Sequence, residues 1–176
     1  MSNLRILLVF FSWTGITKVV AEEIMRNISI NNKVHKFEIQ PIKKRRYIIW
    51  LLLSLLPSSK VKIQPIINDL SNYDLLILGC PKWGLCSPPM NEYLNNLKRC
   101  EGRMSAVFIT FGGYDEIRYL LHLESFLKRK KLHTINRLAI RRSDVKNGDY
   151  LKDIKSFCLS IEQITHQKSL NQVQSL

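Results

Sequence analysis

The chain predicts an α/β domain: a three-layer, doubly wound, five-stranded parallel sheet with helices on both faces. Three observations predict it. Short, near-continuous apolar runs recur along the chain, suited to strands covered on both sides. Between them lie stretches with apolar residues at helical spacing. The two types alternate, which is the signature of βαβ units. With 176 residues, 45% of them hydrophobic, the chain has enough material for one domain (1–176) with a substantial core, and intrinsic disorder is excluded.

The elements follow in order. Residues 4–10, LRILLVF, read as a first buried strand rather than a signal peptide, having no basic flank and no small-residue cleavage site. From Ile16, apolar residues recur at Val20, Ile24 and Ile28, an amphipathic helix. KVHKFEI (33–39) reads as a second strand. DLLILG (74–79) and AVFITF (106–111) are two more of the buried type. Pro88 and Pro89 open a helix to about Lys98, since proline suits a first helical turn. Residues 116–129 form another helix and HTINRLAI (133–140) a fifth strand. After Asn147-Gly148-Asp149 comes a last helix, with Leu151, Ile154, Cys158 and Ile161 on one face. The polar tail 166–176 is expected to fray.

Four cysteines (Cys80, Cys86, Cys100, Cys158) contain no C-x-x-C pair, so no zinc or iron–sulfur framework is expected. Free thiols in a reducing cytoplasm are the expectation. The net charge is +13, and it is local. Residues 41–66 carry Lys43, Lys44, Arg45, Arg46, Lys60 and Lys62 with no acid. Residues 126–143 carry Lys128, Arg129, Lys130, Lys131, Arg137, Arg141 and Arg142, again with no acid. Such patches attract an acidic protein, a phospholipid surface or a nucleic acid, or else simply aid solubility. No helix-turn-helix or RNA-recognition motif is present, so nucleic acid is not expected.

In a parallel sheet, ligands sit beyond the carboxyl ends of the strands. Three loops follow those ends: SWTGIT, CPKWGLCSPP and GGYDE. The first lies where a strand gives way to a helix, whose leading amides form a ready phosphate site. Gly15 permits close approach, and Ser12, Thr14 and Thr17 bring hydroxyls; the plain alternative is that Thr14 caps the helix. The second supplies Trp83, a flat face beside Gly84, and the third Gly112, Gly113 and Tyr114. Together they describe a ligand with a phosphate at one end and a conjugated ring at the other. G-x-x-x-x-G-K-[ST] and G-x-G-x-x-G are both absent. A receiver domain is excluded because FFSW and GCPKW offer no carboxylate at the strand ends.

SWTGIT resembles the T-x-T-G-x-T phosphate loop of flavodoxins and flavodoxin-like FMN proteins. YDLLILGCPKWGLCSPPMNEYL and AVFITFGGYD are similar to that family's second and third flavin loops, in the right order. The resemblance covers roughly residues 4–165 and implies the strand order 2-1-3-4-5. It implies FMN as cofactor. Ser12, Trp13, Thr14, Gly15, Ile16 and Thr17 would surround the phosphate. Pro81, Lys82, Trp83, Gly84, Leu85 and Cys86 would border the ring, with a backbone group around Gly84 on the flavin N5. Phe111, Gly112, Gly113 and Tyr114 would line its other side. No catalytic acid or base and no metal ligand stands out.

Two features depart from that family. Electron-carrier flavodoxins are acidic, and this chain is basic. PIKKRRYIIWLLLSLLPSSKVKIQPI (41–66) inserts an apolar decad, Tyr47 to Leu56 broken only by Ser54, between strands two and three. It is too short to span a bilayer. Three readings stand: a helix packed on the sheet or over the flavin, a homodimer contact through 47–56, or a peripheral membrane contact with Trp50 at the interface. For function, an FMN-dependent oxidoreductase taking hydride from NAD(P)H to a quinone, flavin or other small acceptor stands beside a non-catalytic electron shuttle with a protein redox partner.

Overall fold

The computed structural model describes residues 4–28, 30, 32–43 and 46–174, with side chains to residue 167. Lys44 and Arg45 of the basic tetrad lie outside the described residues. Five strands, β1 (Arg5–Phe10), β2 (Lys33–Glu38), β3 (Leu75–Pro81), β4 (Met104–Phe111) and β5 (His133–Arg141), form one sheet in the order β2-β1-β3-β4-β5. Every pairing is parallel. This is the order expected from the sequence.

The apolar runs become strands because both of their faces are covered. Leu7, Val9, Leu76, Leu78, Val107 and Ile109 point to one face, where α3 (Pro88–Asn96) and α4 (Glu116–Arg129) pack. Ile6, Leu8, Leu75, Ile77, Ala106 and Phe108 point to the other, against α1 (Ile16–Ile28) and α6 (Leu151–Gln174). Successive side chains of a strand alternate faces, so two cores demand an unbroken apolar run. Gly79 of β3 is the one gap in that run, and its neighbour explains it. A Cβ at 79 would lie 1.9 Å from the ring of Phe108, its partner on β4. The missing side chain is the space the phenyl ring fills.

The connections differ from expectation in two places. A short helix, α5 (Arg142–Asn147), follows β5 directly and ends at Gly148, whose φ of +83° is the left-handed conformation that glycine adopts without penalty. The helix α6 continues to Gln174, through most of the stretch expected to fray. No glycine or proline interrupts that stretch, and its Gln, Lys and Leu residues are good helix formers. The insert contains an eight-residue helix, α2 (Tyr47–Ser54), followed by an extended return in which the Gln64 amide donates to the Gln40 carbonyl at 2.8 Å.

Candidate functional site

The loops after β1, β3 and β4 all emerge at the carboxyl edge of the sheet, as parallel pairing requires. In the first, Gly15 takes a φ of +85°, and the Val19 amide donates to its carbonyl at 3.0 Å to begin α1. The amides of Ile16 and Thr17 therefore fall in the first helical turn, where geometry provides no acceptor within the helix. The Lys18 amide donates to Ser12 Oγ at 3.2 Å. The capping side chain is thus Ser12, and Thr14 is left exposed. Thr17 is buried, and its hydroxyl shares a 2.8 Å hydrogen bond with that of Thr110 on β4. Ile16 is half-buried beside them. Trp13 turns toward the insert, its ring centroid 6.0 Å from that of Trp50.

The second and third loops border a cavity of about 490 Å³. Lys82, Trp83, Gly84 and Leu85 line one side; Gly112, Gly113, Tyr114 and Asp115 line another. Pro81, Cys86 and Phe111 do not line it. Pro81 ends β3 and is buried. Phe111 belongs to the strand core, with the Arg141 guanidinium 5.7 Å from its ring centroid. Cys86 is buried, and its thiol donates to the Leu56 carbonyl at 3.1 Å. Burial pushes that thiol up to about 11, and Cys80 up to about 12, so neither is an activated nucleophile. No cluster of three or more metal-ligating side chains occurs among the described residues.

The remaining wall comes from the insert and from the segment after β5. Tyr47 and Leu51 of α2 and Leu55 just after it line the cavity, as does Arg142 at the start of α5. Lys82 Nζ lies 5.8 Å from the centroid of the Tyr114 ring, which is almost fully exposed. Two cations, Lys82 and Arg142, and one carboxylate, Asp115, thus line the cavity, and Asp115 also pairs with Arg118 at 3.9 Å. That aspartate holds a left-handed conformation (φ +66°) as the residue before α4. Backbone held in that region by a residue other than glycine is concentrated at ligand sites.

No family model matches the chain. An uncharacterized protein of Archaeoglobus fulgidus is 31% identical over 149 residues, covering 83% of this chain and 93% of the relative, and the two belong to one family. Among solved structures, flavodoxin 2 of Bacillus cereus superposes with a TM-score of 0.64 at 17% identity, over 90% of this chain and 98% of its own. A flavoprotein of Lactobacillus acidophilus, in complex with FMN, gives 0.63 at 21%, over 82% and 98%. A flavodoxin from the domain Archaea gives 0.59 at 18%, over 93% and 100%.

The chain has the flavodoxin-like fold. Within that flavodoxin-like frame, the insert is packed over the loop edge, the first of the three readings given above. Trp50, fully buried, sits among Phe11, Trp13 and Trp83 at centroid distances of 6.1, 6.0 and 5.9 Å. It is therefore not at a membrane interface. Ser54, the one polar residue of the apolar decad, binds the second loop. Its carbonyl accepts the amides of Leu85 (2.7 Å) and Cys86 (3.2 Å), and its hydroxyl oxygen accepts the Gly84 amide (3.0 Å). These bonds satisfy carbonyls at the end of α2 that would otherwise be orphaned. The Gly84 amide is thus held by the insert. A lone serine in an apolar run was the available signal.

Proposed function

We propose that this flavodoxin-like protein binds FMN at the carboxyl edge of its sheet and transfers electrons through it. The observation that carries the reading is the cavity between Lys82–Leu85 and Gly112–Asp115, on the same sheet edge as the open N-terminus of α1. The cavity's residues fit a flat, conjugated group: Trp83 and Tyr114 supply aromatic surface, and Gly113 leaves open space above its Cα. The amides of Ile16 and Thr17, with the exposed Thr14 hydroxyl, fit a phosphate held by neutral donors and the helix dipole. When bound, the flavin supplies the redox chemistry itself.

The chain's own part is positioning, shielding and charge. Tyr47, Leu51 and Leu55 close one side of the cavity against water. Lys82 and Arg142 offset negative charge that accumulates on a reduced ring. The Thr17–Thr110 pair fixes the first turn of α1 to β4, so that the phosphate and ring sites keep their spacing. The finer activity is NAD(P)H-dependent reduction of a quinone, flavin or other small acceptor, and the two cations at the cavity support it by attracting dinucleotide phosphates.

Titration of the apo-protein with FMN, followed by flavin fluorescence quenching and the visible spectrum, tests the binding. Saturable quenching that weakens several-fold in Thr14→Ala is expected. Absence of flavin binding at micromolar concentration overturns the proposal. Steady NAD(P)H consumption with a soluble quinone tests the finer activity; its absence in a flavin-loaded protein leaves an electron shuttle.

A further inference from the structure

One face of α2 is turned to solvent. Ile48, Leu52, Leu55 and Leu56 are 56%, 60%, 54% and 61% exposed, and Ile49 lies beside them. Ile48, Ile49 and Leu52 form a stripe on one face of the helix by their spacing, and Leu55 and Leu56, in the turn that ends it, extend the apolar patch. The opposite face is the docked one, through Trp50 and Ser54. The stripe is therefore not a core surface left bare by a loose helix. It belongs to a helix pinned by five hydrogen bonds on its other side and C-terminal end: Gly84 and Leu85 to Ser54, Cys86 to Ser54 and Leu56, and Asn91 to Pro57.

Cations flank the stripe at both ends. Lys43 and Arg46 precede α2, and Lys60 and Lys62 follow it, all without an ion pair among the described residues. Lys43 and Lys62 are neighbours, since the Ile42 amide donates to the Lys62 carbonyl. The position of Lys43 and Arg46 works against the helix. No acid occupies the first turn of α2, and cations there oppose the positive end of its dipole. No carboxylate among the described residues pairs with either.

We infer that the α2 face docks on an anionic phospholipid surface, with Ile48, Leu52, Leu55 and Leu56 in the acyl boundary and Lys43, Arg46, Lys60 and Lys62 at the headgroups. Aliphatic side chains on a short in-plane helix, rimmed by basic residues, are the composition such a surface recognises. A protein partner is the weaker match, because protein interfaces centre on aromatic and arginine anchors and here the tryptophan is turned inward. A second copy of this chain is disfavoured as well, since an isologous contact would set the cations of the two copies against each other. Leu55 also lines the cavity. Docking would set the cavity mouth beside the bilayer, where apolar acceptors partition.

Co-sedimentation of the full chain with phosphatidylcholine vesicles, and with the same vesicles containing 30% phosphatidylglycerol, tests this without any cofactor. Expected is pelleting with the anionic vesicles only, weakening several-fold between low and high salt. Lys43→Glu/Arg46→Glu is expected to lower partitioning roughly tenfold or more. Leu52→Ser/Leu56→Ser, both at exposed positions, is expected to lower it by a similar factor with an unchanged circular dichroism spectrum and melting temperature. No pelleting, or equal pelleting with both vesicle types, overturns the proposal. So does a concentration-dependent dimer that the leucine variant dissolves, which would assign the stripe to a second copy. Failure of FMN to bind bears on the proposed function alone and leaves this result readable.

Discussion

The amide of Gly84 donates to Ser54 Oγ at 3.0 Å, and a Cβ at residue 84 would lie 2.8 Å from that oxygen and 2.9 Å from the Ser54 carbonyl oxygen. The loop that borders the cavity and the helix that covers it meet backbone to backbone at this point, with no room for a side chain. The insert is thus part of the site's architecture.

Gly84→Ala is expected to push α2 off the loop and destabilise the protein by about 1–3 kcal/mol, the usual cost of overpacking. Ser54→Ala keeps the space but leaves the half-buried Gly84 amide without its acceptor, at about 0.5–1.5 kcal/mol. Urea denaturation measures both. Limited chymotrypsin digestion at Trp50, fully buried in the folded protein, separates local undocking from global loss, since undocking exposes that residue first.

Gly79→Ala is expected to be more severe than an average core change, because its Cβ would fall inside the Phe108 ring rather than beside a mobile chain end. Phe108→Leu in the same background is expected to recover part of the loss. A double-mutant cycle on unfolding free energies reads the coupling directly, and additive costs would show that the two residues do not share one space.

The buried thiols set a pH window. Burial raises Cys80 and Cys158 to about 12 and Cys86 to about 11 from an ordinary value of 9.0. Above pH 9 the unfolded chain loses these protons and the folded chain keeps them, so the unfolded state binds fewer protons and stability falls as pH rises. The contribution is fully present below pH 9 and is lost progressively towards pH 11–12, at about 1.4 kcal/mol per pH unit for each thiol. Chemical denaturation from pH 7 to 10.5 measures the slope. In the native state at pH 8, all four cysteines, free and buried, are expected to resist a disulfide reagent until denaturant is added.

Arg142→Ala and Lys82→Ala each remove a cation from the cavity wall. Each is expected to weaken FMN binding several-fold and to lower the midpoint potential of the bound flavin, because negative charge on the reduced ring loses a counter-charge. Spectroelectrochemical titration reads the shift. A potential that rises, or stays fixed in both variants, contradicts the placement of these two groups beside the ring.

The sheet was legible because each central strand serves two cores and so cannot include polar residues, and the helices because their apolar residues recur at one spacing. The order of the strands came from the resemblance of three loops rather than from any local pattern. The site divides in the same way. The Gly15 turn and the flanking loops are marked by glycine and aromatic residues adjacent in sequence. The fourth wall is not, since Tyr47, Leu51 and Leu55 are separated from Trp83 by some thirty residues, and Arg142 reaches Gly112 from an element with no distinguishing pattern. Ser12 and Thr14 are both hydroxyl residues just before a helix, so the sequence leaves the cap open, and only the Gly15 turn decides that Ser12 faces the Lys18 amide. Thr17 looked like a surface donor because nothing in its own segment announces Thr110.

The chain has three tryptophans. Trp13 and Trp83 each lie about 6 Å from Trp50, so all of the indole emission originates in one small region, where the insert meets the loop edge. Intrinsic fluorescence will therefore behave as a local gauge, changing when α2 shifts against its loops and remaining silent to rearrangements at the far end of the sheet. Melting curves followed by fluorescence and by circular dichroism need not coincide, and any gap between them times the release of the insert.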